Sequence, residues 1–180
     1  MLLVCEDSSP YWNYGCRTGT CSMATSRHFS DEELARLRSA PKRVTNPGAH
    51  WKEKPGHRQR NFHAREQQDE SVRFSIYQRQ NVHDDSDFSC GIVYIPRVGA
   101  RLTLARYNGP SHRHGEIVYR PHIHRTTARA IAAGKKPESE ADETDRYTNL
   151  EGALRCLVED FHLQGLNIPD DNQTSLFDGA

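Results

Sequence analysis

The amino-acid sequence predicts an α+β domain in which an antiparallel sheet of about five strands is packed by a long C-terminal helix. Two observations support this fold class. Segments in the middle of the chain alternate apolar and polar residues and are joined by short polar connections, which favours hairpins. A later segment repeats apolar residues at the spacing of an amphipathic helix. The length of 180 residues corresponds to one domain, and a hydrophobic fraction of 35% allows a modest core.

The two ends of the chain differ from the middle. Residues 1–23 show no periodic pattern, and Met23 is a second candidate start. Residues 166–180 follow a predicted helix stop at Gly165 and carry no basic residue. We therefore predict that residues 1–23 form a flexible, disordered N-terminal extension, or a mis-annotated one if Met23 is the true start. An α+β domain over 24–165 and a flexible C-terminal tail follow.

The domain is predicted to open with a short helix. Ser30 and Glu33 have the spacing of a capping box, in which each side chain accepts a hydrogen bond from the other residue's backbone. The helix ends at Pro41. Residues 42–60 contain several Pro and Gly residues and predict an ordered or partly ordered arm with Trp51 as its anchor.

Five strand-like segments follow the arm. Alternation is clearest where Val72, Phe74 and Ile76 point to one side and the residues between them to the other. Because the connections are short, we expect an antiparallel meander with one buried face. The predicted strands are 61–66, 72–79, 88–95, 101–107 and 116–124.

Two helices close the predicted domain. The first spans 127–133 and the second 148–163, and a glycine ends each of them. Thr148 and Glu151 predict a second capping box. We expect the longer helix to lie on the sheet and to supply much of the core.

The net charge is zero, but charge is segregated along the chain. Residues 42–65 carry seven basic residues and one acid, residues 97–136 carry nine and one, and residues 137–160 carry eight acids and two basic residues. This pattern favours either a basic face for nucleic acid or pairing of the blocks within the molecule.

Cysteine usage and hydropathy argue against two classes of protein. The five cysteines are an odd number in a chain with no export signal, which disfavours a disulfide framework. Cys90 and Cys156 lie in apolar patterns and are predicted to be small core residues. No apolar run approaches the roughly 18 residues needed to cross a bilayer, so we expect a cytoplasmic protein with no membrane partner.

Four histidines form the first candidate site, because they occur as two i, i+2 pairs. On a strand this spacing places both imidazoles of a pair on one face, as in metal sites. Among arginines, the same residues also fit a ribonuclease-like surface with His as acid and base, or histidines held by structural hydrogen bonds. Because arginines repel a cation, we predict no metal and a basic surface formed by Arg106, His112, Arg113, His114, Arg120, His122, His124 and Arg125.

Sequence motifs of common enzyme classes are missing. The chain lacks G-x-S-x-G, H-E-x-x-H and a phosphate-cradling glycine loop. We therefore expect no catalytic residue and no cofactor.

The tail carries the second candidate site. Leu176 and Phe177 stand side by side beyond the last predicted helix. Apolar anchors on a flexible segment are typical of a short linear motif that orders on binding, with Gln173 setting the register through hydrogen bonds. The alternative is that Leu176 and Phe177 fold back onto the sheet.

The string Gln173-Thr174-Ser175-Leu176-Phe177 resembles the bacterial sliding-clamp-binding pentapeptide, Gln-Leu-Ser/Asp-Leu-Phe in its consensus, and departs from it only at Thr174. With its length and small predicted body, the chain resembles replication-blocking toxins of the SocB type. The resemblance implies that Gln173, Ser175, Leu176 and Phe177 bind the sliding clamp of DNA polymerase III (DnaN). It also implies that an antitoxin of the SocA type acts as an adaptor that delivers the chain to the ClpXP protease.

The sequence thus favours a non-enzymatic toxin of a toxin–antitoxin system, which associates with the replisome and blocks DNA elongation. Two alternatives stay open. One is a toxin-like ribonuclease that uses the histidines of residues 112–124. The other is a DNA-binding accessory factor that is tethered to the clamp and makes a weak nucleic-acid contact through its basic face.

Overall fold

The computed structural model describes residues 28–168. The predicted N-terminal extension over 1–23 and the tail residues Gln173, Ser175, Leu176 and Phe177 lie outside this range. Among the described residues, no helix is long and apolar enough to cross a membrane.

Three helices and eleven strands make up the described chain. The helices are α1 (Asp31–Ser39), α2 (Ala128–Ala132) and α3 (Leu150–Asp160). The strands are β1 (Lys42–Val44), β2 (Lys52–Lys54), β3 (His57–Glu66), β4 (Arg73–Asn81), β5 (Phe88–Ile95), β6 (Leu102–Asn108), β7 (Arg113–His114), β8 (Ile117–Val118), β9 (His122–Arg125), β10 (Glu140–Glu143) and β11 (Leu163–Gln164).

Nine of these strands form one mixed sheet. Its order is β10-β9-β6-β5-β4-β3-β1-β11, and β2 pairs with β3 beside this path. Neighbouring strands are antiparallel except β1 and β11, which are parallel. The remaining strands, β7 and β8, form a separate hairpin.

The predicted fold class, five strands packed by a long C-terminal helix, is wrong. The chain forms a mixed sheet of about nine strands with three short helices, at 38% strand and 18% helix. Helix α3 spans only 11 residues, and at its start Asn149 and not Thr148 is the cap, with the Asn149 side chain accepting from the Gly152 amide at 2.7 Å. After Phe161 the chain turns away to pair β11 with β1, and the Lys42 amide donates to the His162 carbonyl at 3.0 Å.

The strands that were not predicted are short and polar. Strand β2 is Lys-Glu-Lys and β10 is Glu-Ala-Asp-Glu, so neither shows the apolar alternation that marks a strand in a sequence. The predicted strand over 116–124 is divided, because its first residues enter the β7–β8 hairpin and only its end joins β9. These short strands form because neighbouring strands supply their hydrogen-bond partners, and not because of a local sequence preference.

Strand alternation gives the sheet a helix face and a polar face. The helix face is apolar and is covered by α1 and α3, and its core residues include Phe62, Phe74, Ile76, Cys90, Ile92, Tyr107 and Ile123. Cys90 and Cys156 are buried in this core as free thiols, as predicted. The polar face carries Asn61, Tyr77, Arg106, His122 and His124.

Pairing of β9 with β10 brings the basic and acidic blocks of the sequence together. Arg129 contacts Glu140 at 2.6 Å, Arg125 contacts Asp142 at 3.3 Å, and Arg120 contacts Glu143 at 3.7 Å. Much of the charge segregation is therefore compensated inside the molecule.

One buried lysine ties the sheet edge to two helices. Lys42 is fully buried, and its ammonium donates to the carbonyls of Arg38, Ala40 and Phe161 at 3.0, 2.6 and 3.1 Å. The three carbonyls belong to the ends of α1 and α3, where helix geometry leaves backbone acceptors without partners. Lys42 therefore acts as a shared cap for both helix ends.

We expect Lys42→Met to lower the free energy of unfolding by about 3 kcal/mol, because methionine fills a similar volume but leaves three buried carbonyls without a donor. Urea unfolding of the purified chain measures the change. Arg43→Met, at an exposed neighbouring position, is the matched control and should alter stability by less than about 0.5 kcal/mol. Equal stability of the two variants would contradict the capping role.

Candidate histidine site

Strand β9 and the β7–β8 hairpin bring the four predicted histidines together on the polar face. His122 and His124 are two residues apart on β9 and point to the same side. The hairpin carries His112 and His114 over them. The ring centre of His114 lies 4.5 Å from that of His124 and 5.6 Å from that of His122, and the His112 ring lies 5.3 Å from His122. We call this cluster the histidine site.

Backbone carbonyls fix the tautomers of the two buried imidazoles. His122 Nδ1 lies 2.9 Å from the Arg120 carbonyl, and His124 Nδ1 lies 3.0 Å from the Glu138 carbonyl. Because a carbonyl oxygen only accepts, each Nδ1 carries the hydrogen and donates it. Each neutral ring therefore keeps its lone pair on Nε2.

The two Nε2 atoms differ in their partners. His122 Nε2 accepts from the Asn108 amide at 3.2 Å. His124 is only 2% exposed, and its Nε2 has no hydrogen-bond partner within residues 28–168. A buried acceptor without a partner is costly, so a hydrogen-bond donor that reached this lone pair would be favoured there.

A guanidinium lies beside His124, and a phenol lies further along the same row of the sheet. Arg106 is the cross-strand neighbour of His124, and its Nε is a second buried atom with no partner in the described part of the chain. Gly91 separates Arg106 from Tyr77 in the same row of the sheet. A Cβ at Gly91 would lie 2.7 Å from the Tyr77 hydroxyl oxygen, so only glycine leaves room for the phenol.

Burial sets the charge states of these groups. It is the main reason why the pKa of His124 is lowered to about 3, and the charge of Arg106 lowers it further. Burial also lowers the pKa of His122 and raises the pKa of Tyr77. At neutral pH the imidazoles of His122 and His124 are therefore neutral and the Tyr77 phenol is protonated, while the Arg106 guanidinium supplies a positive charge that attracts an anion.

The other arginines of the predicted basic surface lie elsewhere. Arg125 is on the helix face, where it contacts Asp142 at 3.3 Å and Asp160 at 4.0 Å. Arg120 pairs with Glu143, and the Arg113 Nε donates to the Gly115 carbonyl at 3.0 Å in the hairpin. The structure therefore gathers Arg106 and the four histidines, and it separates the remaining three arginines from them.

Sequence reasoning missed two residues of the site, Tyr77 and Asn108. They lie on β4 and β6, and only the sheet register shows which residues of these strands share a row with His122 and His124. The sequence did contain one signal for Tyr77. A glycine inside a strand pattern often marks a close approach of another group, and Gly91 is such a glycine.

Among residues 28–168, no group of three or more His, Cys, Asp or Glu side chains is arranged to hold a metal ion. The hydrogen bond from Asn108 occupies the His122 lone pair, which a metal would require.

No protein-family model matches this chain, and no significant match is found among curated proteins or solved structures. The function is therefore inferred from the geometry of the site and from the tail motif.

We expect the free energy of unfolding to fall as the pH is lowered from 7 to 4.5. The unfolded chain binds a proton at His124 near its ordinary pKa of 6.5, whereas the folded chain does so only near 3. Between these values the unfolded state holds more protons, so stability rises with pH. The lowered pKa of His122 acts in the same direction.

Urea unfolding of the parent and of His124→Asn at both pH values tests this. Asn keeps a donor for the Glu138 carbonyl but does not titrate, so about 2 kcal/mol of the parent's loss should be absent in the variant. The carboxylates titrate in both proteins and cancel in the comparison. An identical pH dependence in the two proteins would show that His124 titrates normally in the fold.

Proposed function

We propose that the chain is a toxin that docks on the bacterial sliding clamp and blocks DNA elongation. The observation that carries this proposal is the pentapeptide Gln173-Thr174-Ser175-Leu176-Phe177, which keeps four of the five consensus residues. The body supports it, because its core is built from residues that precede the motif, including Leu157, Leu163 and the partly buried Ile168.

Docking would block replication by competition. Polymerase and repair factors that use the same clamp pocket would be excluded while Leu176 and Phe177 fill it, and the chain would thereby associate with the replisome. An adaptor antitoxin of the SocA type and the ClpXP protease are the partners that would remove it.

The direct test is a pull-down with purified clamp that compares the full chain with a form ending at Ile168. We expect only the full chain to be retained, and a synthetic peptide covering residues 169–180 to displace it. Retention of the shortened form would exclude the tail as the docking element.

A second candidate function belongs to the body, and the orphaned His124 Nε2 favours it. A ribose 2′-hydroxyl would donate its hydrogen to this lone pair, while the neighbouring Arg106 would bind the adjacent phosphate. One ribonucleotide would then satisfy His124 Nε2 and Arg106 Nε, the two buried atoms of the histidine site that lack partners among the described residues. The histidine site would thus bind RNA and cleave it.

The reaction would be an internal transfer at phosphorus. His124 takes the proton from the 2′-oxygen, which forms a bond to phosphorus, and the bond from phosphorus to the 5′-oxygen breaks. A protonated His114, whose ring centre is 4.5 Å from that of His124, would give its proton to the leaving oxygen, and exchange with solvent would then return both rings to their starting states. The products are a cyclic 2′,3′-phosphate and a free 5′-hydroxyl, so no other reactant is required.

The low pKa of His124 is compatible with this role. Burial and the charge of Arg106 lower it in the free protein. A phosphate bound to Arg106 would bring a negative charge that favours the imidazolium and would raise the pKa of His124 above its value in the free protein, while burial would still hold it below its ordinary range. The base would therefore be strongest when substrate is present.

A further inference from the structure

An open cleft of about 500 Å³ lies on the helix face, where the ends of β3 and β4 meet the start of α3. It is separate from the histidine site, because Gln78 lines the cleft from one side of β4 while the adjacent Tyr77 points to the polar face. Trp51, which precedes β2, forms another wall. We call this cavity the Trp51 cleft.

A fully buried amide in the cleft has an unused donor. Arg60 Nε donates to Gln78 Oε1 at 2.5 Å. Because a guanidinium only donates, this contact fixes the amide orientation, with oxygen towards Arg60 and nitrogen away from it. Gln78 is 0% exposed, and its Nε2 has no partner among the residues that the structure describes. A ligand with an acceptor oxygen would satisfy it.

Gln80, the next glutamine on the same face of β4, has no unused donor. Gln80 Oε1 accepts from Arg58 at 2.6 Å, and its Nε2 lies 3.4 Å from Asp85 Oδ1. Both ends of this amide are therefore engaged within the protein. The unused donor is a property of Gln78 and not of every glutamine on the strand.

The cleft also offers a planar surface. The guanidinium carbons of Arg58 and Arg60 lie 4.8 and 4.6 Å from the centre of the Trp51 ring. Indole and guanidinium planes are the surfaces on which nucleobases stack in proteins. A flat aromatic ligand would extend this stack.

Charge in the cleft is balanced. Arg58 and Arg60 supply two positive charges, and Asp85 and Glu151 supply two negative charges. Glu151 also acts on Arg60, whose pKa is lowered mainly by burial and is partly restored by this carboxylate. A simple anion would meet repulsion from the acids, so the ligand must carry both acceptors and donors.

We propose that the Trp51 cleft binds a guanine base. Guanine presents the O6 acceptor for the Gln78 amide nitrogen and for Arg60, and its N1 and N2 hydrogens suit a carboxylate such as Glu151. Adenine carries an amino group in place of O6 and would meet the amide donor with another donor. The base would come from a free nucleotide or from a strand end.

Titration of the full chain with 5′-GMP, 5′-AMP and a single-stranded GUU trinucleotide, followed by calorimetry, tests this. We expect saturable one-to-one binding of GMP, and binding of AMP at least 10-fold weaker. A trinucleotide that binds more tightly than GMP identifies a strand as the source, and equal affinity identifies the nucleotide. AMP binding as tight as GMP, or no saturable binding of either guanine ligand, would overturn the proposal.

Gln78→Glu is the decisive variant. It keeps an acceptor for Arg60, replaces the free donor with an acceptor and adds a negative charge, so GMP binding should weaken at least 10-fold. Gln59→Glu makes the same charge change on the polar face of β3 and should leave GMP binding unchanged. Trp51→Leu removes the stacking surface and should also weaken binding, which keeps the test valid if Gln78→Glu melts early. Parent-like GMP affinity in both cleft variants would refute the site.

Discussion

Replacing Leu176 and Phe177 together by alanine is expected to abolish binding of the chain to purified sliding clamp and to release the block to DNA synthesis in cells. The two apolar side chains are the anchors of the motif, and buried anchors typically contribute about 2 kcal/mol or more each. Phe177→Ala alone should therefore weaken binding by about 30-fold or more. Calorimetric titration against the clamp measures this directly.

Two matched variants sharpen the experiment. Thr174→Leu restores the consensus residue and should tighten both clamp binding and toxicity. His112→Asn changes the body and not the tail, so it should leave clamp affinity unchanged. Thermal melting should be the same for all tail variants, since the described core is formed by residues 29–168. If the double variant still binds the clamp and still stops replication, the motif does not carry the function.

The second large effect is expected at the histidine site. If the body cleaves RNA, His124→Asn should reduce the rate by about 10² to 10⁴, the usual contribution of a positioned base. Asn retains a donor for the Glu138 carbonyl in the place of Nδ1, so the fold should be kept while the Nε2 lone pair is lost. Cleavage of a fluorogenic oligoribonucleotide by the purified chain provides the readout.

Three controls make this result specific. The matching oligodeoxyribonucleotide lacks the 2′-hydroxyl and should not be cut. Arg106→Gln should raise KM more than it lowers kcat, because it binds phosphate, whereas His124→Asn should lower kcat. Clamp binding should be unchanged in both variants. A parent protein that leaves RNA intact, or a His124→Asn variant that cuts RNA at the parent rate, would exclude the proposed ribonuclease function. Clamp docking would then be the proposed function that is left.

Elements with strong local signals could be predicted from the sequence. The capping box of α1 is present as predicted, with the Glu33 amide donating to the Ser30 hydroxyl at 3.1 Å and the Ser30 amide donating to the Glu33 carboxylate at 3.1 Å. The four central strands, β3 to β6, overlap the segments predicted for them, and the alternation of apolar and polar residues is clear in β4. These signals are contained in a few neighbouring residues.

The edges of the sheet could not be predicted in this way. Strands β1 and β11 are short, and they pair across more than 100 residues of sequence, Lys42 with Leu163. The composition of the histidine site could likewise be predicted only in part from the sequence. The spacing of His122 and His124 predicted that they share a face, but only the register of β4, β5 and β6 reveals that Tyr77 and Arg106 lie in the same row.

The parallel pairing of β1 with β11 has a mechanical consequence. Only two residue pairs join these strands, Lys42 with Leu163 and Arg43 with Gln164, and they lie at the outer edge of the sheet. A force applied to the chain beyond Gly165 would peel these contacts one after another and would then draw Phe161 away from the Lys42 ammonium. Helix α3 would follow and expose the apolar face beneath it. The β1–β11 edge is therefore the first contact to give way when the chain is pulled from its C-terminal side, the side that carries the tail.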